Sequence, residues 1–106
     1  MTKYLLAYHG GGMPESEDAQ AQTMQAWGAW FQKLGASVID GGAPTGASLT
    51  VNPNGSSDTG GGANPVSGYN LIDAANLEEA AEKAKGCPIL ASGGTIEVCE
   101  TFDPGA

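Results

Sequence analysis

The spacing of apolar residues changes along the chain, and this change separates predicted strands from predicted helices. Residues 3–9 are apolar at most positions, which is typical of a central strand covered on both faces. Between residues 13 and 34 the apolar side chains recur every three or four positions, which predicts an amphipathic helix. Trp30 falls off this stripe, so we expect it to be partly exposed or at an interface. The side chains expected to face the sheet are Gln20, Met24, Trp27, Phe31 and Leu34.

Residues typical of helix ends delimit two helices. Ser16 is a suitable N-cap for the first, and Gly35 is a natural stop. Asn76 with Glu79 three residues later forms a capping box that predicts the start of a second helix, which Gly86 ends. The buried stripe of the second helix is expected to comprise Leu77, Ala80, Ala81 and Ala84.

The order of elements predicts an α+β fold. Strands are expected at residues 36–41 and 68–73, and a last strand alternates its side chains between two faces after residue 94. The intervening residues 42–66, rich in Gly, Pro, Ser, Thr and Asn, contain a predicted hairpin arm with its turn at residues 52–55. We therefore predict one domain, residues 1–106, with a ferredoxin-like βαββαβ order and the arm inserted between strands two and three.

The charge of the chain argues against one class of partner. Twelve acidic residues face only four basic ones, none of them Arg, and the net charge is −8. A nucleic-acid-binding protein needs a basic surface that neutralises phosphates, so we expect no nucleic-acid partner. The sequence shows no secretory signal and no apolar run long enough to span a bilayer, so we expect a cytoplasmic protein without a membrane partner.

The residues that bind metals are few and badly spaced. The chain has one His and two Cys, without a CxxC or HxxxH motif. We therefore predict no metal site and no cofactor. Cys87 and Cys99 are expected to be free, mostly buried thiols.

Topology brings several polar residues to one rim of the predicted sheet. The carboxyl ends of the first two strands share an edge with the amino ends of the last two. His9 and Asp40 are the candidate catalytic pair at this rim, with His9 as a general base. In the alternative interpretation, His9 bonds a backbone group and Asp40 caps the turn before Gly41.

Four further residues are candidates for ligand binding at the same rim. Two are tyrosines whose hydroxyl groups could orient a ligand, and two are serines close to glycine-rich turns. The alternative for the tyrosines is a packing role in the core or at an interface. The candidate ligand-binding residues are Tyr8, Ser67, Tyr69 and Ser92.

Several blocks of the chain, in order, resemble the YCII-related (YciI-like, DGPF) family. They lie at residues 3–6, 27–35, 40–44, 67–73, 86–90 and 93–98. The resemblance implies a homodimer in which two ferredoxin-like sheets pack face to face as a dimeric α/β barrel. Some members resemble lactone-processing enzymes that use a His–Asp pair, and DGPF-type members are linked with extracytoplasmic-function sigma factors.

These observations lead to three functional hypotheses, the last of which is a purely structural dimer without a pocket. In the first, the chain binds a small molecule at the barrel rim and acts as a weak lyase or isomerase, with His9 and Asp40 transferring protons. In the alternative, it is a non-enzymatic interaction or sensor module, linked to such a sigma factor. A polar pocket around His9 favours the first, and an exposed apolar patch or an ordered arm favours the second.

Overall fold

Two α-helices and six strands make up the part of the chain that this computed structural model describes, residues 2–12 and 14–105. Two short 3₁₀ helices, Gly35–Ser37 and Pro88–Leu90, connect them. The elements in chain order are β1 (Thr2–His9), α1 (Glu17–Leu34), β2 (Val38–Pro44), β3 (Leu49–Val51), β4 (Ser57–Thr59), β5 (Val66–Ala74), α2 (Leu77–Ala84) and β6 (Thr95–Glu100).

Four strands form an antiparallel sheet in the order β2-β5-β1-β6. This order places β1 and β5 at the centre, which confirms the predicted α+β class and the ferredoxin-like arrangement of the strands. Strands β3 and β4 form a separate two-stranded hairpin, paired from Leu49 with Thr59 to Val51 with Ser57. Both Leu49 and Val51 are exposed.

The caps predicted for the helices are present. The Ser16 hydroxyl accepts a hydrogen bond from the Ala19 amide at 3.1 Å, and Gly35 ends α1 with a φ of 56°. Asn76 Oδ1 accepts from the Glu79 amide at 2.8 Å. These bonds satisfy amide groups that have no partner inside the helix, and they fix where both helices begin.

The packing of α1 differs from the predicted stripe. Trp30 is buried, with 4% of its surface exposed, whereas Met24 is 61% exposed. The Trp30 indole crosses to α2 and donates a hydrogen bond from Nε1 to the Lys83 carbonyl at 3.0 Å. The prediction for both residues was wrong because α1 packs against the connection after α2 as well as against the sheet.

The core lies between the sheet and the two helices. In α2, Ala80 and Ala84 are buried as expected, but Leu77 is 43% exposed. On the helix side of the sheet β1 contributes alternate residues, whereas Leu5 and Ala7 point to the opposite face. The molecule measures only 18 Å along its shortest axis, which fits one sheet and one helix layer. The cluster of buried residues is Tyr4, Leu6, Tyr8, Trp30, Ile72, Ala74, Ala80, Ala84, Cys87 and Ile89.

Strand β2 starts and ends later than predicted. The expected strand covered residues 36–41, but Gly35–Ser37 forms a 3₁₀ helix and β2 continues to Pro44. Its pairing with β5 is irregular on both sides of Asp40. Asp40 therefore lies within the strand, and the residues that reach the rim of the sheet are those near Pro44.

Candidate functional site

A cleft of about 620 Å³ opens at the rim of the sheet, beside α1. Its walls come from α1, the glycine turn after β1, the end of β2, the start of β5 and the segment around Pro88–Leu90. All four residues predicted to bind a ligand lie along it. The residues that line the cleft include Tyr8, residues 10–12, Thr23, Trp27, Phe31, residues 41–45, Ser67, Tyr69 and Ser92.

Aromatic rings form the apolar wall of the cleft. Trp27 lies at the centre of this group, 5.5 Å from the Tyr8 ring and 6.1 Å from the Phe31 ring, centroid to centroid. A Cβ at Gly68 would come within 3.1 Å of Tyr8 Cδ2, so the glycine leaves room for the tyrosine ring across β5. Tilted and stacked rings at these distances attract one another, and they hold the wall in a fixed shape.

The backbone of a glycine turn forms the opposite border. Gly10 and Gly11 have φ values of 72° and 73°, a left-handed conformation that favours glycine. A Cβ at Gly11 would lie 2.8 Å from Ile89 Cγ1 and 3.1 Å from Ser92 Oγ, so the turn packs directly on the segment after α2. The border is thus fixed by contact of the glycine backbone with the Ile89 and Ser92 side chains.

Among the described residues, none that lines the cleft carries a formal charge at neutral pH. This is unexpected in a chain with a net charge of −8. An anionic ligand would enter without a cation to pair with and against the overall negative charge, whereas an uncharged ligand would lose little hydration. The cleft therefore disfavours anionic ligands.

A buried polar group lies beneath the aromatic wall. The Tyr8 hydroxyl donates to Oδ1 of Asn70, and Asn70 is completely buried. Burial, followed by the nearby Cys87, raises the pKa of Tyr8 far above its ordinary value, so the phenol stays protonated. Burial also raises the pKa of the Cys87 thiol. Within the described residues, Asn70 Nδ2 has no hydrogen-bond partner.

His9 is held at the end of β1 by oxygen atoms on both sides of its ring. Nδ1 lies 3.0 Å from the Asn64 carbonyl oxygen and 3.3 Å from that of Pro65. Nε2 lies 3.4 Å from a carboxylate oxygen of Glu97, on the neighbouring strand β6. These contacts tie the loop before β5 to the edge of the sheet, and His9 does not line the cleft.

Asp40 lies apart from His9. Its carboxylate accepts a hydrogen bond from the Gly42 amide at 2.8 Å, which caps the local turn. Asp40 is opposite Leu71 and His9 is opposite Val66, so they stand five positions apart along β5. That offset is about 16 Å along the strand, and the two side chains are not brought together.

The other expected ligand residues lie along the cleft in different ways. The Ser67 hydroxyl donates to the Gly10 carbonyl at 2.9 Å, and the Ser92 hydroxyl donates to the Ile89 carbonyl at 3.0 Å. Tyr8 presents its ring. Tyr69 pairs with Ala7, so its side chain lies on the face of the sheet opposite to Tyr8. Ligand binding by these four residues stays a prediction.

Within residues 2–12 and 14–105, no cluster of three or more His, Cys, Asp or Glu side chains could hold a metal ion. No helix in these residues is long and apolar enough to cross a membrane. Cys87 and Cys99 are both free thiols.

Two features, one in the cleft wall and one buried beneath it, were not predicted from the sequence. Trp27 and Phe31 were expected to pack against the sheet, but they also form the cleft wall. Asn70 was not singled out at all. The sequence does contain an indication of Asn70, because it is a polar residue inside an apolar strand. Neighbouring residues of a strand point to opposite faces, so Asn70 faces the core when Tyr69 faces away from it. A buried side-chain amide at such a position indicates a hydrogen-bond network.

The fold is the antiparallel ferredoxin-like α+β fold, and it is shared with a bacterial enzyme. The chain is similar to the 5-chloro-2-hydroxyhydroquinone dehydrochlorinase TftG from Burkholderia phenoliruptrix AC1100, solved in complex with 2,5-dihydroxybenzoquinone. The TM-score is 0.52 and the sequence identity 17%, over 94% of this chain and 93% of TftG. At this identity the similarity shows the fold alone. No family model and no curated protein sequence matches the chain, so membership of the YCII-related family stays a prediction.

Proposed function

We propose that this protein binds a small, uncharged ring compound in the cleft beside α1. The observation that carries the proposal is a cleft of about 620 Å³ with an aromatic wall and no charged residue in the part of its lining that the structure describes. Its volume falls in the usual range for small-molecule sites, which are mostly apolar with a few polar groups. The aromatic rings provide a flat contact surface, and burial of apolar area supplies the main part of the affinity.

The geometry of the cleft supports binding of a small molecule better than it supports a catalysed reaction. A general base must approach the proton that it removes to about 3 Å. His9 and Asp40 do not line the cleft, and about 16 Å of strand separates their positions. Proton transfer by this pair, in a lyase or isomerase reaction, therefore stays a prediction without geometric support. TftG is a dehydrochlorinase solved with a ring compound, which guides only the choice of first probes.

A glycine at the border of the cleft allows a direct test. Gly12 lines the cleft, and a Cβ added there would meet no atom within 4 Å. We therefore expect Gly12→Phe to fold normally and to weaken the binding of anisole at least tenfold in an NMR titration, because the new ring occupies the cleft. Benzoate, which has a similar ring but a negative charge, is expected to bind the unmodified protein at least tenfold more weakly than anisole.

The matched control is Gly28→Phe. Gly28 lies on α1 outside the cleft, and a Cβ there also meets no atom within 4 Å. This variant should bind anisole as the unmodified protein does. If Gly12→Phe binds anisole normally, or if benzoate binds as well as anisole, the proposed site is wrong.

We also propose that the protein is a homodimer that pairs through the sheet face opposite the helices. Leu5 and Leu71 lie opposite each other at the centre of this face, beside Ala7 and the 38% exposed Tyr69. In the described chain the helices cover only the other face, so these apolar side chains have no helix over them. A second sheet packed on this face would bury them, which supports the dimer that the resemblance implies.

A charge at the centre of this face is expected to separate the subunits. Leu71→Lys should convert a particle of twice the chain mass into a monomer in light scattering, because each interface would bury two unpaired ammonium groups. Leu49→Lys, on the exposed hairpin, is the control and should leave the mass unchanged. A monomeric unmodified protein at 100 μM would refute the proposed dimer.

A further inference from the structure

The hydroxyl groups along the cleft share one property, which is the direction of their hydrogen bonds. Ser67 donates to the Gly10 carbonyl and Ser92 to the Ile89 carbonyl. Thr23 Oγ1 donates to the Ala19 carbonyl at 3.0 Å, and Thr45 Oγ1 donates to the Val66 carbonyl at 2.9 Å. All four residues line the cleft, and all four donate to main-chain oxygen atoms.

This shared direction fixes what these side chains can offer a ligand. A hydroxyl group has one proton to donate and two lone pairs that accept. Because each proton is directed to a carbonyl oxygen of the protein, each oxygen presents only lone pairs to the cleft. The Tyr8 hydroxyl is committed in the same way, since it donates to Asn70 Oδ1. The hydroxyl side chains of the cleft wall therefore act as acceptors.

Two other side-chain groups near the cleft do not change this conclusion. Tyr69 lies along the cleft, but its register opposite Ala7 directs its side chain to the other face of the sheet. Asn70 Nδ2 is a donor without a partner among the described residues, but Asn70 is fully buried and does not line the cleft. Neither group supplies a side-chain donor to a bound molecule. The Trp27 indole N–H and the main-chain amides of residues 10–12 are donors at the cleft, but a ligand that can only accept would still leave the serine oxygens without a partner.

We infer that the cleft selects uncharged molecules that donate hydrogen bonds, such as phenols, over molecules of the same shape that can only accept. This inference rests on the proposed binding function and names the ligand class for it. A ligand hydroxyl would donate to Ser67 or Ser92, which contact the glycine turn at Gly10 and Gly11 respectively. The oxygen of a methyl ether at the same place has no proton to donate, so its lone pairs would face those of the serine oxygen. The ether oxygen and the serine oxygen would both lose hydrogen bonds to water without a replacement bond.

The test compares phenol with anisole, its methyl ether, on the unmodified protein. Anisole is the more apolar and the larger of the two, so apolar burial alone would favour anisole. We expect phenol to bind at least threefold more tightly in an NMR titration at pH 7, where phenol is uncharged. The preference corresponds to at least one hydrogen bond gained by phenol alone.

Two variants locate the acceptors. Ser67→Ala and Ser92→Ala each remove one hydroxyl oxygen and keep the small side chain. We expect at least one of them to reduce the preference for phenol to below twofold, because phenol loses an acceptor and anisole loses an unfavourable contact between oxygen lone pairs. The double variant should bind the two compounds according to their apolar area, with anisole tighter.

The possible outcomes distinguish selectivity for hydrogen-bond donors from the binding of ring compounds in general. If anisole binds as tightly as phenol to the unmodified protein, the cleft binds ring compounds but does not select donors, and the inference is wrong while the proposed function stands. If neither compound binds at its solubility limit, both are wrong. If both serine variants keep the full preference for phenol, the assignment of the acceptors is wrong.

Discussion

Gly42→Ala is expected to lower the free energy of unfolding by more than about 3 kcal/mol. Gly42 has a φ of 65°, and a Cβ at this position would lie 1.7 Å from the Tyr69 carbonyl oxygen and 2.6 Å from its carbon. Both atoms belong to the backbone of β5, so no side-chain rotation can remove the overlap. Strand β2 would have to separate from β5, and the cleft that Gly42 lines would change shape. Urea unfolding followed by circular dichroism measures the loss.

The neighbouring glycine supplies the control for this prediction. Gly41 also lines the cleft, but a Cβ there meets no atom within 4 Å and its φ is not left-handed. Gly41→Ala should change the free energy of unfolding by less than about 1 kcal/mol, in the stabilising direction, because alanine restricts the unfolded chain. Equal losses in both variants would show that β2 does not approach β5 as described.

Trp30→Ala is expected to lower the free energy of unfolding by about 3 to 5 kcal/mol. The indole is buried and hydrogen-bonded to the Lys83 carbonyl, and a Cβ at Gly86 would lie only 3.0 Å from Trp30 Cδ1. Truncation would leave a cavity between α1 and the end of α2, where neither element can collapse fully. The same urea experiment gives the magnitude.

Met24→Ala is the control for Trp30→Ala. It shows whether the loss of stability depends on where the side chain lies on α1 or only on the removal of a large side chain. Met24 lies on the same helix but is 61% exposed. Its replacement should change the free energy of unfolding by less than about 0.5 kcal/mol, as is usual for surface positions. A loss for Met24→Ala as large as that for Trp30→Ala would support the stripe predicted from the sequence and contradict the packing of α1.

The fold was predictable from local signals because these signals agreed with one another. The capping residues Ser16 and Asn76 and the stop at Gly35 are local, and each is satisfied by atoms within a few residues. The strand order then follows from the handedness of the connections. Long-range packing is needed to place Trp30, whose partner at Lys83 lies 53 residues away.

The rim was predictable only in part. Topology brings Tyr8, Ser67 and Ser92 to one edge, and these residues do line a cleft. The distance between His9 and Asp40 could not be predicted from the sequence. Strand β2 is irregular at Asp40 and continues three residues past Gly41, so Asp40 does not lie at the end of the strand. The catalytic role of these two residues stays a prediction, as does the alternative of an interaction module.

The cleft wall required the position of α1 relative to the sheet. Periodicity assigns Trp27 and Phe31 to the inner face of the helix, but it does not say whether the sheet covers them completely. In this fold the glycine turn at residues 10–12 and the end of β2 leave a gap beneath them. Sequence patterns carry no information on such a gap, because it arises from elements that are distant in the chain.

An amide NMR titration with phenol tests most directly whether this cleft is the binding site. We expect the largest shifts at residues 10–12 and 41–45 and at the Trp27 indole, with a single affinity at all of these positions. Shifts confined to the β3–β4 hairpin or to α2 would place binding elsewhere. Either that pattern, or no shift up to the solubility limit of phenol, would contradict the proposed function.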